Sequence, residues 1–508
     1  MKTSAADLPG TSEARLVRNT SLMILALVAL RLVAAAWTPL TFDEAYYWMW
    51  SKSPAFGYYD HPPMVALVIR AGTSLGGDTE IGVRLMSILL ALPMSYAIYR
   101  AAAILFGSER LAASAAILLN VTLMAAVGTL IVTPDSPLLV ASSFVLLFLA
   151  KVIETGRGPW WLAVGAAVGC ALLSKYTALL FGAAILIWLA AAPLQRRWLA
   201  TIWPYLGGLV SLAIFAPVIL WNAGHQWVSF LKQIGGRVRI DNFRPLFLAE
   251  LVPTQIAFAT PFVFVLGAMG LHALLRRKVG ATSARLLLDA MFWTIVVYFI
   301  WHALHARVEA NWFAPVYPAF AIAAAVAATL VQWEPRWQRV ADICSRWAAP
   351  VGVAMFVLLI VQANTGWLSL HRRDATVRSV GVGWRELAAQ IEAVRKRTGA
   401  TCVLAPDYGT TSWLAFYLPR GTCVVQPTQR IRWVNMSEPD PALLKGPLLF
   451  VDEARPLQPY LKDRFAQVER IAELPRKRGP LTIETYALEL LREPKADVLD
   501  RSPPPELQ

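Results

Sequence analysis

Three carboxylates stand close together early in the chain: Asp43, Glu44 and Asp60, within TFDEAYYWMWSKSPAFGYYDHPPM at 41–64. His61 and a dense set of tyrosines and tryptophans surround them. A carboxylate held beside a substrate can take the proton of an attacking hydroxyl. Asp43 and Glu44 are adjacent, and helical neighbours point about 100° apart, so both rarely reach one site. Either one does chemistry while the other caps a helix or pairs with a base, or both are helix-start charges. The stretch follows an apolar segment, Leu22 to Trp37. It therefore lies where a chain leaves a bilayer, and acidic groups there cost free energy unless something uses them. The aromatics also suit a belt at the lipid headgroups.

A carboxylate base implies other partners. A leaving group that departs as an anion needs positive charge near it more than it needs an acid. Lys175, Lys232, Arg237, Arg239 and Arg307 are the candidate cations. Lys175 interrupts the apolar run ALLSKYTALLF. A lysine at a membrane edge either snorkels to headgroups or serves a site. Asp135, in TPDSP, reads as a cap for the helix that follows, with Thr133 or Ser136 helping. HALHARVEANWFAPVYP at 302–318 brings His302, His305, Glu309 and Asn311 together. The two histidines with Asp60 leave a divalent metal open, against interfacial histidines with purely structural partners. No cofactor is firmly implied.

These residues must be positioned by a membrane framework. The 508 residues are 57% hydrophobic and 16% charged, against about 25% charged in soluble proteins. Apolar runs long enough to cross a bilayer recur near 20–38, 81–105, 111–130, 135–152, 159–173, 175–194, 201–221, 252–272, 286–304, 311–332 and 347–366. The expected architecture is a polytopic α-helical membrane protein of about 11 spans, up to 13, with a C-terminal soluble α/β domain. No small-residue cleavage site follows the first run, so it reads as a retained helix.

Arg and Lys mark alternate loops, including Arg100, Arg110, Lys151, Arg196, Arg276 and Arg336. The connections at 133–136 and 174–177 are nearly free of them. The positive-inside pattern puts the N-terminus in the cytoplasm and the Asp43 loop and C-terminal region outside it. The net charge of +14 is thereby topological, facing anionic headgroups rather than nucleic acid.

The expected divisions are a transmembrane region 1–366 with outer loops 38–80 and 222–250, an outer mixed α/β domain 367–491, and a charged, proline-rich disordered tail 492–508. Cys402 and Cys423 each begin a short strand-like run in the outer domain, where an oxidising compartment permits a disulfide. That domain has no nucleotide motif and no compact acid–base set, so it is expected to serve acceptor choice or stability. The loop 221–250, basic and hinged at Gly235-Gly236, is expected to order over a bound donor.

FDE after the first span, YYWMW, GYYDHPPM, TPDSP at 133–137, LLSKYTALL at 172–180, VEANWFAPVYP and DYGTTSWLAFYLP at 407–419 together carry a resemblance across most of the chain. It resembles the bacterial dolichyl-phosphate-mannose–protein mannosyltransferase-like glycosyltransferases of GT-C type, relatives of the lipid A aminoarabinose and rhizobial galacturonosyl transferases. The resemblance implies an inverting enzyme of the inner membrane. It would move a sugar from a polyprenyl-phosphate donor to a glycolipid or protein acceptor on the periplasmic face. Asp43 matches the essential first-loop aspartate and Asp60 an acidic position of the second motif. Here Asp60-His61-Pro62-Pro63 stands where aminoarabinose transferases have Glu-Lys-Pro-Pro. Asp43, Glu44 and Asp60 are the catalytic candidates. Tyr58, Tyr59, His61, Lys175, Lys232, Arg237, Arg239, Arg307, Glu309 and Asn311 are the donor-side candidates. The alternative is a flippase for a lipid-linked saccharide, which should show internal repeats and charges within spans; this chain shows no visible internal repeat and concentrates its charges in outer loops.

Overall fold

The computed structural model describes residues 9–234, 243–276, 279–368, 370, 374–454 and 459–502. The first two-thirds is helical. Seven helices are long and apolar enough to cross a membrane: Glu13–Trp37, Glu80–Phe106, Asp135–Thr155, Trp203–Gly224, Thr282–Ala303, Ala310–Thr329 and Pro335–Thr365. The pair Leu246–Ala259 and Pro261–Leu275, bent by 103°, makes an eighth if it is one broken span. Fewer segments qualify than the eleven expected among the described residues. Segment 111–130 breaks at Thr122, whose side chain caps the short helix Leu123–Gly128. Segments 159–173 and 175–194 are the shorter apolar helices Trp160–Ser174 and Tyr176–Ala191, divided at Lys175. Hydropathy counts apolar runs and is blind to a cap such as Thr122 that breaks a helix.

Small residues let the helices approach closely, as they must where hydrocarbon gives no drive to associate. A Cβ at Gly165 would lie 2.0 Å from the carbonyl oxygen of Gly207 on the neighbouring helix.

The C-terminal region is an α/β domain on a five-stranded mixed sheet. Its strands are β1 (Cys402–Leu404), β2 (Cys423–Val425), β3 (Leu448–Glu453), β4 (Phe465–Arg478) and β5 (Leu481–Pro494), in the order β2-β1-β3-β5-β4. β1 runs parallel to β2 and β3, while β5 is antiparallel to β3 and β4. Cys402 lies directly opposite Cys423 in the β1–β2 register, and a disulfide joins them. A short helix, Pro459–Arg464, leads directly into β4. The tail is corrected for its described part. β5 runs to Pro494, and Val498 and Leu499 are buried against Leu404 and Phe450 in the sheet core. Two apolar side chains in a charged stretch were enough to dock it.

This domain is not a separate appendage. Leu40, Tyr46, Trp50 and Tyr58 of the first outer loop share one hydrophobic cluster with Trp384, Leu387, Trp413 and Trp433. The Leu40 carbonyl accepts from Trp413 Nε1 at 3.0 Å and from Gly381 N at 2.9 Å. A Cβ at Gly381 would meet that carbonyl at 2.6 Å, so the approach requires glycine. Arg478, in a buried ion pair with Asp374 at 3.1 Å, also meets the Gln362 carbonyl at 3.3 Å near the end of Pro335–Thr365. Trp221 donates to Asn435 at 3.1 Å, and Asn435 donates to the Gly57 carbonyl at 2.8 Å. Membrane helix, first loop and C-terminal domain therefore meet at one junction.

Candidate active site

Thr41 caps the helix Phe42–Lys52, and Glu44 answers by accepting from the Thr41 backbone at 2.9 Å. That capping box fixes the directions of the two acidic neighbours. Glu44 points inward. It is fully buried, receives Arg84 through two bonds of 2.7 and 2.6 Å, and accepts from Val132 N at 3.2 Å. Glu44 is thus removed from the catalytic candidates: its oxygens tie the first outer loop to the segment before TPDSP. Removing one partner of such a pair costs about 3–5 kcal/mol. Glu44→Gln should therefore markedly lower the melting temperature of the purified protein; unchanged melting with lost turnover would return Glu44 to the chemistry.

Asp43 points the other way, into a cavity of about 920 Å³. Tyr46, Asp60, His61, Asp135, Lys175, Lys232, His302, Glu309, Asn311, Tyr408 and Arg432 also line it. Tyr408 donates to Asp43 Oδ1 at 3.2 Å. Burial pushes the Asp43 carboxyl up to about 7, with the Tyr408 hydrogen bond opposing and the charge of Asp60 adding to the rise.

Asp60 is the electrostatic opposite. It accepts from Tyr46 at 2.8 Å and from Arg432 at 2.7 Å, and it pairs with Lys232. Burial alone would raise its pKa, but Arg432 and Lys232 outweigh it and hold the carboxyl at about 2. Gln233 fixes the Asp60 carbonyl at 2.6 Å. Two cations on one carboxylate leave an excess positive charge in the cavity wall. Two carboxyls pushed apart in this way divide the roles of proton acceptor and fixed charge.

A second group faces them. Lys175 meets both oxygens of Asp135 at 2.8 and 3.0 Å, and Asn311 donates to Asp135 at 2.6 Å. Asp135 is therefore not the helix cap the sequence suggested; its backbone N bonds Thr133 while its carboxylate turns to Lys175.

The other candidates divide. His61 and Glu309 line the cavity. Tyr59 lays its ring against Lys232, 3.7 Å away, and Arg432. Tyr58 does not reach the cavity: it stacks on Trp50 at 4.2 Å and its hydroxyl bonds the backbone at Trp50 and Ser53. Arg307 is largely exposed and stands 3.9 Å from Glu250 and Glu309, away from the cavity lining. Arg237 and Arg239, with the Gly235-Gly236 hinge, lie outside the described residues. Of the metal set, His302 lines the cavity, whereas the His305 ring turns to the Trp301 carbonyl at 2.8 Å and Asp60 is taken up by its two cations. Among the described residues no three His, Cys, Asp or Glu side chains are grouped to hold a metal ion.

Sequence reading missed Arg432 and the role of Tyr408. Both come from the C-terminal domain, which was expected to carry no chemistry. Asp407 caps the helix Tyr408–Tyr417 through Thr410 N at 2.9 Å. That cap presents Tyr408 at the first helical position, and DYGT was the available signal. Arg432 lies in a single helical turn, Arg430–Trp433, whose sequence carries no motif.

Of the cavity's residues, Asp60, His61, Asp135 and Lys175 lie in the segment that matches a family model. The family model for dolichyl-phosphate-mannose-protein mannosyltransferase matches residues 60–221. Lipid A galacturonosyltransferase RgtD of Rhizobium johnstonii is 26% identical over 377 residues, 72% of this chain and 75% of that protein. The crystal structure of ArnT from Cupriavidus metallidurans bound to undecaprenyl phosphate covers 95% of this chain and 99% of its own, with TM-score 0.64 at 18% identity. The apo structure of the same enzyme aligns at 0.65 over 93% and 98%. Fold and sequence point the same way: the chain has the fold of ArnT, and its sequence is similar to a lipid A galacturonosyltransferase and, over 60–221, to dolichyl-phosphate-mannose-protein mannosyltransferases, which supports a membrane glycosyltransferase.

Proposed function

We propose that the protein transfers a sugar from a polyprenyl-phosphate donor to a lipid A-type glycolipid, with inversion, at the membrane face opposite the cytoplasm. The observation that carries this is the division of the two carboxyls in one cavity. Asp43 stands at about 7 and is free to take a proton, while Asp60 stands at about 2 and holds Lys232 and Arg432 in place. The acceptor hydroxyl attacks the anomeric carbon as its proton passes to Asp43. The carbon–oxygen bond to phosphate breaks, and the polyprenyl phosphate leaves with the electron pair. Lys232 and Arg432 meet the charge that develops on it. Leu179, Leu180, Tyr298 and Phe299 on the membrane side of the cavity suit the first isoprene units. Support for the donor and acceptor classes comes from ArnT, crystallised with undecaprenyl phosphate, and from RgtD, named for galacturonosyl transfer to lipid A. The spans and the relatives support an inner-membrane placement, and the loop charges support a cytoplasmic N-terminus.

The test is transfer by the purified protein, supplied with undecaprenyl-phosphate-linked galacturonate and lipid A, read by mass spectrometry of the lipid product. A base is active when ionised, so kcat/KM should rise with pH, climb about tenfold per unit below pH 7 and level off above it. No mass gain on lipid A with this donor or with its aminoarabinose analogue would reject the assignment. A profile flat from pH 5.5 to 8.5 would reject Asp43 as the base.

A further inference from the structure

Tyr408 lies inside the loop that the disulfide Cys402–Cys423 closes, and Arg432 lies just beyond it. Tyr408 is seated without help from the disulfide. Asp407 caps its helix, and Trp413 of the same helix donates to the Leu40 carbonyl at 3.0 Å and meets the Phe42 ring at 5.8 Å. Arg432 stands on a single helical turn that hangs from Gln426, the residue after β2. Gln426 Oε1 accepts from Trp433 at 3.1 Å, and the Gln426 carbonyl accepts from Arg430 at 3.0 Å. Gln429 accepts from Arg432 Nε at 2.7 Å and has a φ of 50°. A non-glycine residue keeps that left-handed conformation only where its surroundings impose it. On its far side the turn is moored to the membrane region through Asn435. A turn strung between two moorings keeps its aim only while both hold.

The near mooring is β2, a strand of three residues at the edge of the sheet, with β1 beside it. So short a strand has few ladder hydrogen bonds to hold it. Asp500 N adds one bond beyond its end, to the Pro427 carbonyl at 2.8 Å. The disulfide adds a covalent tie at the first residue of β2, where Cys423 stands opposite Cys402. A shift of β2 moves Gln426, and Gln426 carries the turn of Arg432 with it.

The tie is also reachable. Cys402 is fully buried, but Cys423 is half-buried and lines a cavity of about 280 Å³ beside Thr411, Gly421 and Met436. A dithiol that enters there attacks Cys423 Sγ as its thiolate, the S–S bond breaks, and Cys402 leaves as a thiolate. The second thiol of the reductant then displaces Cys423 from the mixed disulfide. The reductant departs oxidised, as a disulfide, and the protein has gained two electrons and two protons.

We propose that the Cys402–Cys423 disulfide is a positioning element for Arg432, and that its reduction by a dithiol slows sugar transfer. The assignment rests on the function proposed above, in which Arg432 meets the leaving phosphate.

Full-length protein in nanodiscs is assayed for transfer before and after treatment with dithiothreitol, in the wild type and in Arg432→Ala. Maleimide labelling of the denatured protein counts the thiols, with Cys170 and Cys344 free throughout and Cys402 and Cys423 free only after reduction. Reduction should lower the wild-type kcat by about fivefold or more, leave the acceptor KM within about twofold, and reverse on reoxidation. A protein with Cys402→Ala and Cys423→Ala together should match the reduced wild type and no longer respond to the dithiol. In Arg432→Ala, reduction should change kcat by less than about twofold, because the residue it positions is gone. A disulfide that only stabilised the domain would cost the same factor with and without Arg432, and that result overturns the proposal. An unchanged kcat in the reduced wild type overturns it too, as does labelling of Cys402 and Cys423 in the untreated protein. Comparing oxidised with reduced protein needs no substitution at the cysteines, so it decides the matter even where the double variant does not fold. A wild type that transfers sugar and ignores reduction fails this inference alone; a wild type without transfer before reduction fails the function beneath it as well.

Discussion

Asp43→Asn should reduce transfer by about 10²–10⁴-fold, the range that a positioned general base contributes. The amide keeps the shape of the carboxyl, and its oxygen can still accept from Tyr408, which now stands 3.2 Å from Oδ1. What it lacks is the basicity to take the proton. Stability should move the other way. The folded pKa of Asp43 is raised from 3.8 to about 7, so the fold favours the protonated form. Its penalty for the ionised form grows as pH rises from about 4 and is complete above about 7. Asparagine carries no such charge. At pH 8 the variant should therefore melt no lower than the wild type while turning over far more slowly. A structural role would lower both together. Turnover within tenfold of wild type, in protein of normal melting temperature, removes Asp43 from the chemistry.

What the sequence made legible follows from which signals are local. FDE and GYYDHPP named Asp43 and Asp60 because both motifs sit on short segments just outside the first helix. It was also legible that adjacent carboxylates diverge, and Glu44 does take the capping and pairing role. Which of the two it would be was not legible, because Arg84 lies 40 residues away and its pairing is set by how Glu80–Leu89 packs on Phe42–Lys52. The same limit hid Arg432, 372 residues from Asp60. Basic residues were sought by their position along the membrane topology, and an arginine inside a small α/β domain looked like surface. Span counting failed for a different reason. Trp160–Ser174 and Tyr176–Ala191, on either side of Lys175, are apolar but shorter than a span, and Thr122 starts a new short helix inside an apolar run. The disulfide was left open by spacing alone and became determined once β1 and β2 proved to be parallel neighbours in register.

Lys175 and Lys232 both line the cavity, and each is already matched to a carboxylate. The Asp135–Lys175 pair is neutral as a unit. The Asp60 group is not, because Arg432 adds a second cation. The excess charge available to an arriving phosphate therefore depends on one residue of the C-terminal domain. On the proposed mechanism that domain takes part in the donor step, and it shares a hydrophobic cluster with the loop that carries Asp43. A cation that must be aimed at a reacting phosphate is best carried on a surface that cannot slide.

Arg432→Ala should therefore reduce turnover by about 10²–10³-fold, as expected for loss of one preorganised donor at a developing anion. Arg432→Lys should recover little of this. The guanidinium reaches Asp60 Oδ2 at 2.7 Å while lying over the rings of Tyr408 at 4.7 Å and Tyr59 at 5.1 Å. An ammonium on a flexible stem cannot hold a fork between two rings. The pattern of the kinetic constants distinguishes this from a domain that only selects acceptors. Loss of acceptor selection alone would raise the acceptor KM and spare kcat. Loss of a group that stabilises the leaving phosphate should lower kcat at saturating acceptor, because the interaction strengthens as the bond to carbon breaks. Steady-state kinetics with donor and acceptor varied independently, on variants whose melting temperature matches wild type, reads the difference. An Arg432→Ala protein with kcat within fivefold of wild type and a raised acceptor KM would return the domain to acceptor choice and leave Lys232 as the cation for the phosphate.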